Sequence, residues 1–257
     1  MSNQQNAYLK AMGIDVWVER NSSSPSLINA STDFTPEVKL IEPEAAPIPQ
    51  SESIIDVKDK IDIDNLDWPS LQAFVAKCTD CELSNNREKV VFGAGNQTAS
   101  LMIIGDAPSK EDELKTEPFS GKAGTLLTAM LKAMGYQRND VYISNLVKCC
   151  TSENQDPSVE EVATCEPYLQ QQIKLIQPDL ILVLGSIAAQ RLLKSKSTLS
   201  RLRGQLHYIE DINIPIIVSF DPAYLLRSPN EKRKAWDDLQ SAMKELTNIA
   251  RSYNSEE

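Results

Sequence analysis

Four short, β-rich apolar runs, at residues 101–105, 141–146, 180–185 and 214–220, constrain this chain more than any other feature, because helical patterns at 123–134, 158–176, 186–193 and 231–250 alternate with them. Apolar runs with little polar alternation are typical of strands buried on both faces. Strands alternating with helices close most simply as a parallel sheet with helices on both sides. The spacing therefore predicts an α/β fold: a three-layer α/β/α arrangement around a central parallel four-stranded sheet. Ligands of such sheets gather at the carboxyl ends of the strands, so functional residues are expected just after Gly105, Leu146, Gly185 and Phe220.

The rest of the chain divides by composition. Residues 21–53 are rich in Ser and Pro, carry five carboxylates and have little apolar periodicity, which is the pattern of a flexible linker. The expected organisation is an N-terminal peptide over 1–20, a linker over 21–66 and one folded domain over 67–257. The peptide is a small apolar island. Tyr8 and Met12 share a helical face, Gly13 can end that turn, and Ile14, Val16 and Val18 then alternate with polar residues. So short an island cannot fold alone; it either docks on the chain's own core or tethers the chain to another protein.

The net charge is −10, of which −6 falls in the first 66 residues and −4 in the remainder. Duplex binding gains affinity from Lys and Arg against phosphates, so DNA is expected as a weak partner that needs a local basic patch. No run approaches the roughly 18 apolar residues of a membrane span, and the N-terminus lacks the regions of a secretory signal. A soluble, cytoplasmic protein without a membrane partner is the expectation.

Five cysteines without an export signal argue against a disulfide framework. Cys78 and Cys81 form a two-residue-spaced pair, and Cys149 and Cys165 have fifteen residues between them. Four thiolates suit zinc or an iron–sulfur cluster; spacing alone makes zinc the default, although the second pair is wide. Cys150 has no obvious partner.

Six stretches, in order, carry a resemblance over about 175 residues: CTDCEL from Cys78, VFGAGN from Val91, LMIIGDAP from Leu101, PFSGKAGTLL from Pro118, VYISNLVKC from Val141 and DPAYLLR from Asp221. In these motifs the chain resembles the family 4 uracil-DNA glycosylases. The resemblance implies a 4Fe-4S cluster on Cys78, Cys81, Cys149 and Cys165. It also implies a uracil pocket formed by Ala107, Phe119 and Asn145, where Phe119 stacks on the extruded base and Asn145 reads its edge. Asp106 stands where the family usually has Glu, and Asp112 matches a second acidic position.

Three departures accompany the match. Asp221 replaces the family's usual His, which stabilises the developing uracil anion, and a carboxylate there would repel it. Loss of one such donor costs about 10² to 10³ in rate. Ser109 replaces a Gly, restricting a loop near substrate, and Cys150-Thr151-Ser152 replaces a basic, stiff Arg-Pro-Pro run. On this reading Asp106, Asp112 and Asp221 are vestigial catalytic residues.

The island's Leu9, Gly13-Ile14, Trp17 and Arg20 are similar to the amino end of the psi subunit of bacterial DNA polymerase III. That resemblance implies clamp-loader ATPase subunits bound through Tyr8, Leu9, Met12, Ile14, Trp17 and Arg20, with a chi-like subunit as a further partner. The leading expectation is thus a psi-like, catalytically impaired clamp-loader subunit on a uracil-DNA glycosylase-like scaffold. The alternative is an active family 4 uracil-DNA glycosylase in base-excision repair.

Overall fold

The structure is a computed structural model; it describes Lys10, Gly13 and residues 62–151, 155–209 and 213–255. The proposed partner-binding residues Tyr8, Leu9, Met12, Ile14, Trp17 and Arg20 lie outside the described residues, as does most of the segment read as linker. Its last residues are described: Asp62 caps a 3-10 turn over Ile63–Asn65, and the Gln171 side-chain amide donates to the Leu66 carbonyl at 2.7 Å.

In chain order the elements are helices α1 (Trp68–Lys77) and α2 (Leu83–Asn86), strands β1 (Ala94–Gly95) and β2 (Leu101–Gly105), and helices α3 (Lys110–Lys115) and α4 (Lys122–Met134). These are followed by β3 (Tyr142–Asn145), α5 (Val159–Ile176), β4 (Leu180–Leu184), α6 (Ser186–Leu192) and α7 (Leu199–Leu202). The last are β5 (Leu206–Tyr208), β6 (Pro215–Ser219), α8 (Pro222–Arg227) and α9 (Lys232–Ser255). The sheet runs in the order β1-β3-β2-β4-β6-β5. Its four inner strands are parallel, as predicted. The described sheet nevertheless has six strands rather than four, because β1 and β5 pair antiparallel at the two edges. Both are too short to carry a strand-length apolar pattern.

Strand alternation divides the core. Met102, Ile104, Ile181, Val183, Ile216 and Val218 face one layer, which α1, α5 and α6 cover. Leu101, Ile103, Leu180, Leu182, Leu184 and Ile217 face the other, which is covered by α4 and α9. Burial on both faces is why these strands read as unbroken apolar runs. The chain leaves β2 for β3 on one side and then crosses to β4 on the other. The order thus reverses at β2, opening a crevice at its carboxyl end.

Candidate active site and cysteine cluster

That crevice is a cavity of about 900 Å³, with Asp106, Ala107, Phe119, Gly185, Phe220 and Asp221 among its lining. Asn145, at the carboxyl end of β3, is not itself part of that lining but lies buried beside Phe119, which is. A Cβ added to Gly105 would lie 2.5 Å from Asn145 Oδ1 and 2.5 Å from the tip of the Phe119 ring. Residue 105 must therefore be glycine for the amide and the ring to meet.

Asn145 is 1% exposed. Its Nδ2 and Oδ1 are two of the four buried side-chain polar atoms without a hydrogen-bond partner among the described residues. Each such atom costs about 1–3 kcal/mol, so a paired donor and acceptor left open beside an aromatic ring are fitted to a ligand edge. Phe119 is held there by backbone. It adopts φ 51°, a left-handed conformation costing of order 1–3 kcal/mol in a bulky residue, and Gly124 leaves room for its carbonyl.

Asp112 accounts for that turn. It closes a capping box with Ser109 at the start of α3, and its other oxygen accepts from Ser120 N at 2.6 Å and Ser120 Oγ at 2.9 Å. It thus pins the residue after Phe119. Ser109 has φ −80°, so the loop does not need a glycine there and the restriction expected from this replacement does not arise.

Asp106 follows β2, and its Oδ1 accepts from Ala188 N at 2.7 Å. Burial, reinforced by the charges of Asp221 and Asp156, outweighs its backbone hydrogen bonds and raises its carboxyl to about 7. Asp221 caps α8, with Oδ1 accepting from Ala223 N at 2.7 Å and Tyr224 N at 3.2 Å. Burial raises its carboxyl as well, against those bonds and Arg227. Its capping oxygen is thus occupied by backbone donors, so Asp221 is not simply a bare negative charge set against a leaving group. Ala107 lines the same cavity as Asp106 and Phe119.

The cysteines gather on the opposite side of β3. Cys149 and Cys165 are buried in one apolar cluster, against which Cys78 and Cys81 pack. Arg87 Nη1 donates to Cys149 Sγ at 3.0 Å, and the Lys148 backbone N–H donates to Cys165 Sγ at 3.3 Å. Burial pushes the Cys165 thiol up to about 12 and raises Cys149 against the pull of Arg87. Deprotonating these thiols therefore requires a strong positive partner, which a bound metal supplies. Among the described residues no three His, Cys, Asp or Glu side chains are grouped as ligands of one ion. Tetrahedral zinc needs sulfurs roughly 3.8 Å apart, given Zn–S of about 2.3 Å. A cluster whose thiolates bind different irons needs wider spacing. Cys150 stands apart, its Sγ donating to the Thr151 carbonyl at 3.4 Å.

Several residues here escaped the sequence reading. Arg87 reaches Cys149 and the Cys78 carbonyl. Glu113, fully buried, accepts from Glu88 N at 2.7 Å and thereby holds the loop that carries Arg87. Lys148 and Gln172 form a buried polar group behind Asn145. Only the adjacency of Lys148 to Cys149 was visible in sequence; the other contacts join segments far apart in the chain.

A mixed sheet with four parallel inner strands and a cavity at its switch point defines an α/β class whose site lies at the carboxyl edge of the sheet. The profile described as "Uracil DNA glycosylase superfamily" matches residues 92–240, and the chain belongs to this superfamily. It is 36% identical over 172 residues to the type-4 uracil-DNA glycosylase of Archaeoglobus fulgidus, covering 65% of this chain and 86% of that protein. It is 38% identical to the Thermotoga maritima type-4 enzyme over 172 residues, 65% of this chain and 88% of the relative. With the type-4 enzyme of Saccharolobus solfataricus it shares 34% over 192 residues, 72% and 88% of the two chains.

These relatives overturn the reading of the chain as a psi-like clamp-loader subunit with a vestigial pocket. Their similarity extends over most of their own length, whereas the psi-like resemblance rested on about a dozen residues outside the described part of the chain. The main ground for impairment, a repelling Asp221, is also weakened by its capping role. No described helix is long and apolar enough to cross a membrane.

Proposed function

We propose that this chain is a uracil-DNA glycosylase of base-excision repair, acting on uracil in DNA. The observation that carries the reading is the buried Asn145 amide, with both polar atoms unpartnered, set against Phe119 over Gly105. A uracil edge offers an N–H donor beside carbonyl acceptors, which is what one amide can satisfy. An unpaired donor or acceptor left in a dry site strongly disfavours bases of the wrong pattern. Phe119 supplies the ring on which a flipped base stacks.

Asp106, in its ionised form, is the group suited to orient an attacking water and to offset positive charge on the sugar as the glycosidic bond breaks. Asp112 positions the Phe119 turn. Ala107 completes the pocket wall, and Asp221 shapes its rim. We assign Cys78, Cys81, Cys149 and Cys165 to a 4Fe-4S cluster. The donor set of four clustered thiols and the N–H groups aimed at two of the sulfurs fit such a group. When bound, it ties three separate chain segments together.

The test is uracil release from a single-stranded oligonucleotide containing one uracil. The wild-type protein releases free base, and Asn145→Ala lowers release by at least about 10²-fold while the fold is retained. A wild-type protein with bound iron that releases no uracil would overturn the proposal.

A further inference from the structure

Lys148 is 1% exposed. Its ammonium donates to Ser144 Oγ, to the Asn145 carbonyl and to Gln172 Oε1, each at 2.7 Å. All three donors are used, yet no acceptor is a carboxylate. Three hydrogen bonds from one buried side chain fix its position and that of the backbone it holds. The same residue's backbone N–H donates to Cys165 Sγ at 3.3 Å, and its carbonyl accepts from Val91 N at 2.8 Å. Lys148 thus touches the cysteine cluster through its backbone and the recognition residue through its side chain. Among the described residues the Asn145 amide itself has no partner to fix it, so its aim depends on how its backbone is held.

We infer that Lys148 is a positioning residue for base recognition: its side chain clamps the Asn145 carbonyl and so holds the amide toward Gly105 and Phe119. The inference rests on the function proposed above. It implies that the cysteine region and base recognition meet in one residue, the first through its backbone N–H and the second through its side chain.

The experiment compares wild type with Lys148→Met and Ser144→Ala. The measurements are iron content with the thiolate-to-iron absorbance, affinity for free uracil by calorimetry, and excision of uracil relative to thymine opposite guanine. For Lys148→Met the expected result is retained iron, uracil affinity weakened by about 10- to 100-fold and reduced preference for uracil over thymine. Ser144→Ala, which removes one of three acceptors, shifts affinity in the same direction by less, and it decides the question if Lys148→Met does not fold. Iron-loaded Lys148→Met with unchanged affinity and preference overturns the positioning role alone. Loss of iron in Lys148→Met with normal affinity in Ser144→Ala overturns it too, because the lysine would then serve only the cluster. A wild type that neither binds nor excises uracil overturns the proposed function and this inference together.

Discussion

Asp106 combines burial, two neighbouring acids and hydrogen bonds from the backbone of Ile187 and Ala188, and these set its pH behaviour. An unfolded Asp titrates near 3.9, and burial holds this one up to about 7. The native state therefore binds the proton more tightly. Its stabilising contribution is full below about pH 4 and is lost as pH rises through about 7. Catalysis runs the other way, since orienting water and offsetting sugar cation both require the carboxylate. We predict that kcat/KM rises with pH to a plateau, with an apparent pKa near 7 set by Asp106. We further predict that Asp106→Asn raises stability at pH 8 by roughly 2–4 kcal/mol and at pH 5 by only about 1–1.5 kcal/mol, while excision falls sharply. Denaturant melts at the two pH values check this; equal shifts at both would contradict the burial account.

Among elements, the turn between α3 and α4 makes the largest local contribution to the pocket. Asp112 serves Ser109 and Ser120 at once, so the capping box of α3 and the left-handed Phe119 form one unit. Asp112→Ala should cost about 1–2 kcal/mol as a lost cap and about 2–6 °C in melting temperature. It should also lower uracil excision by more than tenfold, because Phe119 no longer holds its strained backbone. A variant with lowered melting temperature but full activity would show that the turn is set elsewhere. The elements differ in how legible they were. β2, β3, β4 and β6 were readable because each is buried on both faces and flanked by helical periodicity. Ala94–Gly95 and Leu206–Tyr208 were not, since two- or three-residue edge strands are defined by their partners. Asn145 and Phe119 were legible through motif resemblance. Arg87, Glu113 and Lys148 were not, because what makes them matter is contact across the fold.

For the molecule as a whole, the proposed cluster would make the four cysteines a staple. Cys78 and Cys81 follow α1, Cys149 follows β3, and Cys165 lies in α5, so a single centre would join three regions of the domain. Without metal, burial keeps Cys165 a neutral thiol, its pKa pushed up to about 12, and the staple opens. Chelating the iron under reducing conditions, or Cys165→Ser, should lower the melting temperature by at least about 10 °C and bleach the visible absorbance in step. Bleaching without a thermal shift would separate the centre from the fold's stability.

The contact of Gly105 with the Asn145 amide and the Phe119 ring has one more consequence. The floor on which a base would rest includes the ends of two hydrogen-bonded central strands, whereas Ser109, Thr151 and Asp221 stand on the loops around its mouth. Chain segments at the mouth can be rewritten with little change to the shape below. Under the proposed function, substitutions there would retune speed and DNA preference, while the identity of the accepted base would stay written into the sheet.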